Sequence, residues 1–344
     1  MLDVSATAPT DNRSVEVLLD VSALTVEFRT EKGWVRVVDN LSLRLLKGHT
    51  LGIVGESGSG KTVTSLAIMG LLDPQVSRLP SGSIMLEGQE LIGLRRSQLA
   101  DLRGEKIAMI FQEPCRSLNP AFTVGDQIAE TFRRHRGMSK KAARAASLKM
   151  LDTVGIAEAA RRYKHYPHEF SGGMCQRVML AIALACEPKL LIADEPTTAL
   201  DVTVQSRMLA LMNELQHEFD LSILFITHDL GVVAEMCDDV AVMYAGQVVE
   251  QAELEDLFFR PQHPYTEGLL AAIPDADRNS PLRSIAGVVP PPWAWPEGCS
   301  FHPRCTYCVK GRCDTEPVVL TVPEAGHAVR CVRAGELELL GVEP

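Results

Sequence analysis

The residues with the clearest chemical potential are Gly55-Glu-Ser-Gly-Ser-Gly-Lys-Thr62, which fit the pattern G-x-x-x-x-G-K-S/T at every fixed position. The chemistry of such a stretch is anion binding. Successive backbone N–H groups of a glycine-rich turn point inward, and the start of the following helix adds partial positive charge. Gly58 and Gly60 permit backbone angles that a Cβ would forbid. Lys61 can reach the β- and γ-phosphates of a nucleotide, and the Thr62 hydroxyl can ligate Mg²⁺. Gly55, Ser57, Gly58, Ser59, Gly60, Lys61, Thr62 and Val63 are therefore the candidate phosphate-binding residues. An idle turn would have no need of Gly-Lys-Thr at its helix start.

Three other positions fit the same chemistry. Residues 190–194 are an apolar run closed by Asp194, as expected of a buried parallel strand that delivers an acid beside the phosphate loop to bind Mg²⁺. Glu195 follows, where it could polarise an attacking water. Residues 106–111 end in Gln112 and 221–226 end in Thr227-His228, so each predicted strand leaves a polar side chain at its C-terminal edge, where open α/β sheets bind ligands. Gln112 is a candidate Mg²⁺ or water contact, and His228 points where a nucleotide should lie. Ser171-Gly-Gly173 opens a helix with Ser171 as its N-cap and free amides that suit an anion, although a well-capped helix alone would look the same.

The surrounding elements must hold these groups. Alternating apolar residues at 24/26/28, 35/37 and 41/43/45 predict three short antiparallel strands, with Phe28 a candidate for stacking on an adenine or simply a core-facing aromatic. The loop should sit between a strand at 51–54 and a helix at 63–72. Residues 83–86 and 106–111 read as strands, 124–163 as an inserted helical stretch, 204–219 as a helix, and 240–244 with 247–251 as a hairpin. Basic residues at 133, 134, 136, 140, 141 and 144 read as a solvated helix face. Residues 252–274 read as helical, and from 275 prolines and tryptophans mark a linker before a compact cysteine-rich end.

Composition narrows the function classes. The 344 residues carry a net charge of −10, without the overall basic footprint of a nucleic-acid binder. No apolar run approaches the roughly 18–20 residues that span a bilayer; the best, 178–186, has nine. Residues 1–16 lack the basic start and apolar core of a secretory signal and read as a disordered tail. The expected location is the cytosol or the cytosolic face of a membrane partner. Of nine cysteines, five fall in the last 46 residues: Cys299, Cys305, Cys308, Cys313 and Cys331. In a reducing cytosol that crowding suggests metal binding, with zinc, an iron–sulfur cluster, disulfides or plain packing all open on spacing alone.

Together these motifs resemble the nucleotide-binding subunit of an ATP-binding-cassette (ABC) transporter over about 20–260. The resemblance implies a P-loop NTPase of the ABC type: an α/β fold with a mixed core sheet, an antiparallel β subdomain, an inserted helical subdomain at about 113–185, and a small cysteine-rich C-terminal extension over 261–344. Its phosphate loop matches 55–62, its strand-edge glutamine Gln112, its magnesium acid Asp194, its catalytic acid Glu195 and its switch histidine His228. Its signature matches Phe170-Ser171-Gly172-Gly173-Met174, with Phe and Met as departures while Ser171 and Gly173, the γ-phosphate contacts, are kept. Its D-loop matches Ala199-Leu200-Asp201.

The chain further resembles the dipeptide/oligopeptide importer branch through His263-Pro-Tyr-Thr-Glu-Gly-Leu-Leu270, Gln112-Glu-Pro with Ser117-Leu-Asn-Pro120, and Gly298-Cys-Ser-Phe-His-Pro-Arg-Cys305. The branch implies ATP-driven import of peptides, or of nickel or another small solute. It implies a head-to-tail partner cassette, two membrane permeases docking near 112–135, a solute-binding protein reached through them, and no direct nucleic acid. Relatives in this branch carry an iron–sulfur cluster here, and the matching positions are Cys299, Cys305, Cys313 and Cys331, with Cys308 the extra. The competing class, a soluble cassette ATPase acting on nucleic acid or ribosomes, commonly carries two cassettes or a coiled-coil insertion, and this sequence shows neither.

Overall fold

The computed structural model describes residues 16–198, 200–273 and 284–342; the tail expected at 1–16 lies outside these apart from Glu16. In chain order the strands are β1 Val17–Thr30, β2 Gly33–Leu46, β3 Thr50–Val54, β4 Ser77–Leu86, β5 Gln89–Glu90 and β6 Ile107–Ile110. There follow β7 Leu190–Asp194, β8 Ser222–Ile226, β9 Asp239–Tyr244, β10 Gln247–Glu253, β11 Thr321–Glu324 and β12 His327–Val329.

Two sheets result. The larger runs β11-β12-β10-β9-β3-β8-β7-β6. Within it β9, β3, β8, β7 and β6 are parallel, and β10, β12 and β11 add antiparallel to one edge. The smaller, β2-β1-β4-β5, is antiparallel. The central strands are buried on both faces because their residues alternate between two cores. Leu190, Ile192, Leu224 and Ile226 face one core, shared with the small sheet and the helix Lys61–Ile68. Leu191, Ala193, Ile223 and Phe225 face the other, shared with the helical segment and the helix Val202–Phe219. Each buried Leu, Ile or Phe side chain among these contributes about 1.5–3 kcal/mol.

The three expected N-terminal runs are two long strands. Val26 pairs with Val38 and Leu24 with Leu41, so β2 spends one more residue than β1 over this step. Asn40 absorbs it at φ +48°. A second irregularity, between the pairs Glu27–Arg36 and Val26–Val38, shifts the inward phase from the half-buried 35 and 37 to Val38, and the bulge at Asn40 shifts it again to 41, 43 and 45, so the pattern mimics a strand break in the sequence. The helix expected at 63–72 runs Lys61–Ile68, and Gly70 at φ +61° turns the chain out of it.

Between β6 and β7 lie the helices Pro114–Ser117, Val124–Arg136, Lys140–Thr153, Ala159–Arg162 and Gly172–Leu184. The helix Val124–Arg136 buries Val124, Ile128, Ala129 and Phe132 at helical spacing, and its N-cap Thr123 accepts from the Asp126 amide. The six basic residues at 133, 134, 136, 140, 141 and 144 are all exposed, as a solvated face requires. The C-terminal segment is not a separate appendix. Its β12 pairs with β10, and Phe301, Trp295 and Cys299 pack into the same core as the central strands.

Candidate nucleotide site

Parallel strands carry their C-terminal ends to one edge, so β3, β6, β7 and β8 deliver their following residues together. The registers are level: Ile53 and Asp194 both lie opposite Ile226. The phosphate loop leaves β3 and runs under β2. An added Cβ on Gly60, at φ +102°, would stand 3.2 Å from the Val37 carbonyl. One on Gly55 would run into the Met243 carbonyl, so both positions require glycine.

Lys61 is buried, and its ammonium donates to the carbonyls of Gly55 (2.7 Å) and Glu56 (3.1 Å). Burial lowers its pKa, opposed by Glu195, Asp194 and Glu56. The Thr62 hydroxyl donates to Asp194 Oδ1 at 3.3 Å. Asp194 is buried, and loss of water raises its pKa to about 6. These two oxygens make a hard, oxygen-only pair of the kind that suits Mg²⁺. Among the described residues the buried Ser59 hydroxyl has no hydrogen-bond partner.

Glu195 collects the other candidates. Its Oε2 accepts from Gln112 Nε2 (2.8 Å) and Thr198 Oγ1 (2.9 Å), and its Oε1 stands 3.4 Å from His228 Nδ1. Its backbone is left-handed at φ +47°, secured by its N–H donating to the Ile226 carbonyl at 2.8 Å. Uncommon backbone angles held by neighbours concentrate at working sites. The structure thus joins Lys61, Thr62, Asp194, Glu195, Gln112 and His228 at one edge.

Other candidates stand apart. Phe28 is half-buried on β1 opposite Val35 of β2, on the strand beside the one that covers Gly60. Ser171 occupies the N-cap position, yet its hydroxyl makes no capping bond; the helix starts at Gly172 and turns on its backbone carbonyl, which accepts from Cys175 N. Among the described residues, Ser171 and Gly173 make no hydrogen bond to the loop 55–62. Gln176, on that helix, donates to the Pro196 carbonyl, tying the signature to the turn after Glu195. Asp201 caps its own helix, accepting from Val204 N at 2.9 Å.

Sequence reasoning passed over Glu56, Thr198, Tyr265 and Arg304 as site residues. The Glu56 amide donates to Tyr265 Oη at 3.0 Å, and its carboxylate pairs with Arg304 at 2.6 Å. Position 56 is a free x in the loop pattern, so the pattern carries no signal for it.

The chain matches the ABC transporter family over residues 38–198 and the family described as "Oligopeptide/dipeptide transporter, C-terminal region" over 249–313. It is 49% identical to the oligopeptide transport ATP-binding protein AppD of Bacillus subtilis, covering 92% of this chain and 97% of that protein. The chain belongs to the ABC transporter ATP-binding proteins. It is also 50% identical to the oligopeptide transport ATP-binding protein OppD of Salmonella typhimurium, over 90% of this chain and 92% of that one. Among solved structures, the dimeric ATP-binding cassette MJ0796 in a post-hydrolysis state with ADP and Pi superposes with a TM-score of 0.62 at 26% identity. That match covers 69% of this chain and 98% of the cassette. ABC ATP-binding proteins are ATPases and take ATP with Mg²⁺.

The structure lends the expected metal centre no support. Among the described residues no three His, Cys, Asp or Glu side chains form a group ready to hold a metal ion. All five C-terminal cysteines are free thiols. Cys299, Cys305, Cys313 and Cys331 nevertheless line one cavity together with Phe301 and Tyr307, and Cys308 does not. Burial pushes Cys299 up to about 11 and Cys305 up to about 12, so without a cation these thiols stay protonated. Backbone N–H groups still point at all four sulfurs: Phe301 at Cys299, Tyr307 at Cys305, Val309 at Cys313 (3.4 Å) and Arg333 at Cys331 (3.4 Å).

Proposed function

We propose that this chain is the ATP-hydrolysing subunit of a peptide importer, coupling ATP turnover to uptake of di- and oligopeptides through separate membrane permeases. The observation that carries this reading is the single edge holding Lys61, Thr62, Asp194, Glu195, Gln112 and His228, in a chain matched along nine-tenths of its length by peptide-import ATP-binding proteins. Lys61 exchanges two loop carbonyls for nucleotide phosphates. Thr62 and Asp194, with Gln112 at the rim, would hold Mg²⁺, which when bound neutralises phosphate charge. Glu195 accepts a proton from the attacking water while Gln112, Thr198 and His228 fix its carboxylate. Val63 and the amides of Ser57, Gly58 and Ser59 line the phosphates, and Phe28 stacks on the adenine.

Among the described residues Ser171, Gly173 and Asp201 make no hydrogen bond to the loop 55–62, as expected if they serve the nucleotide of a second, identical or homologous cassette. The partners are that cassette, two permeases and, through them, a solute-binding protein. No helix among the described residues is long and apolar enough to cross a membrane, so passage of solute falls to other chains. Phe122 is 56% exposed between Gln112 and the helix Val124–Arg136, which suits a permease helix docking there from the membrane. The working place is then the cytoplasmic face.

For the thiol cavity, the finer reading is a 4Fe–4S cluster on Cys299, Cys305, Cys313 and Cys331. Four lining thiols equal the ligand count of a cubane, and hydrogen bonds to sulfur suit such ligands. When bound it would tie 299–305 to 313 and 331 through sulfur. Anaerobically prepared protein should be brown and contain iron; zinc, or no metal, would overturn this reading. For the function itself, the chain should co-purify with permeases and, reconstituted with them, hydrolyse ATP faster when a peptide-loaded binding protein is added. Stimulation by nickel-loaded but not peptide-loaded binding protein would refute peptide import.

A further inference from the structure

Glu56, the second residue of the phosphate loop, is tied down by residues more than two hundred positions away. Arg304 grips its carboxylate with both prongs, Nη1 to Oε2 at 2.6 Å and Nη2 to Oε1 at 3.1 Å. Tyr265 accepts from its amide at 3.0 Å. Neither partner is loose. The Arg304 side chain is only 5% exposed, its Nε donates to the Ala286 carbonyl at 2.8 Å, and its Nη1 lies 3.4 Å from Tyr244 Oη. Tyr265 is fully buried with its ring against Tyr244 and Phe301.

These anchors end on the loop itself, not on the sheet. The carbonyl of Glu56 is one of the two that Lys61 holds, and it also accepts from the Ser59 amide at 3.2 Å. A side chain that fixes Glu56 therefore fixes the start of the amide cradle and the rest position of the lysine. A bidentate guanidinium–carboxylate pair constrains orientation as well as distance. Ordering the cradle before the ligand arrives removes that cost from binding.

We propose that Arg304 and Tyr265 are positioning residues for nucleotide binding, by which the C-terminal segment holds the phosphate loop in its receptive shape. The proposal rests on the reading of 55–62 as the ATP site. The test is calorimetric titration of the full-length chain with ATP and Mg²⁺, alongside its melting temperature without nucleotide. Arg304→Met should raise the Kd for ATP about tenfold, as expected for loss of a charge-assisted contact that pre-sets the cradle. Arg304→Lys should recover only part, since it keeps the charge but not the fork. Glu56→Gln should show a similar loss, and Arg304→Met on top of it should add little.

Wild-type ATP affinity in Arg304→Met, with a lower melting temperature, would reduce the pair to a staple and overturn the proposal. If Arg304→Met does not fold, Glu56→Gln decides by the same criterion, because its side chain is already 34% exposed and leaves no buried hole. Wild-type affinity in Lys61→Ala would instead remove the site reading, and the proposal with it.

Discussion

Replacing Glu195 by Gln tests the assigned chemistry with the least disturbance of shape. The carboxylate holds three neighbours: Gln112 Nε2 and Thr198 Oγ1 on one oxygen, His228 Nδ1 near the other. An amide oxygen can keep the first two donors, and its NH₂ can face the imidazole, so the site should fold and bind nucleotide as before. What disappears is the proton acceptor. A positioned general base contributes about 10²–10⁴-fold, or about 3–5 kcal/mol of barrier. Steady-state phosphate release in the assembled transporter should fall by that factor while the Kd for ATP changes less than about threefold. The substituted chain should also accumulate as an ATP-bound pair of cassettes on size-exclusion chromatography, since closure no longer ends in hydrolysis. Near-normal turnover would remove Glu195 from its role. Loss of ATP binding would show that the carboxylate holds the site together instead.

Other consequences follow from the same geometry. Gly55→Ala should lose about 1–3 kcal/mol in chemical denaturation and bind ATP poorly, because its Cβ collides with the Met243 carbonyl. Phe301→Ala should cost about 3–5 kcal/mol, since the ring is 3% exposed and wedged among Tyr244, Tyr265 and His263. His263 is buried and held neutral, its pKa lowered to about 3 by burial while its Nδ1 accepts from Tyr265 N. The unfolded chain binds this proton first, so stability is present above about pH 6.5 and falls as pH drops toward 3, by about 2 kcal/mol at pH 5. His263→Gln should flatten that part of a pH series of denaturation midpoints.

The gathering of Lys61, Thr62, Asp194, Glu195, Gln112 and His228 at one edge was legible because each stands at a strand end or in a loop of fixed spacing. Asp194, Glu195, Gln112 and His228 follow short apolar runs of the kind that buried parallel strands show, and parallel strands share an edge. The N-terminal strands were less legible. A bulge at Asn40 resets the alternation of β2 and looks in sequence like a turn. Ser171 looked like a side-chain cap because serine favours that position, but the helix turns on its backbone carbonyl and leaves the hydroxyl out. The thiols show the limit of spacing: four of five converge on a cavity, yet their separations depend on how 299–331 folds across β10 and β12.

The long-range anchors were invisible for a more general reason. A loop motif lists what the ligand needs, whereas Glu56 answers to a guanidinium from another part of the chain. The sheet explains how the two meet. β10 runs antiparallel beside β9, and β12 joins β10, so the C-terminal segment is laid along the flank of the strand next to β3. Tyr244 ends β9 beside the loop and offers its ring to Tyr265 and Phe301 and its hydroxyl to Arg304. Phe301 also lines the thiol cavity, and Cys305, the residue after Arg304, lines it too. The segment that matches the peptide-importer C-terminal family therefore touches the phosphate loop through Tyr265 and Arg304, and the residue after Arg304 already lines the thiol cavity.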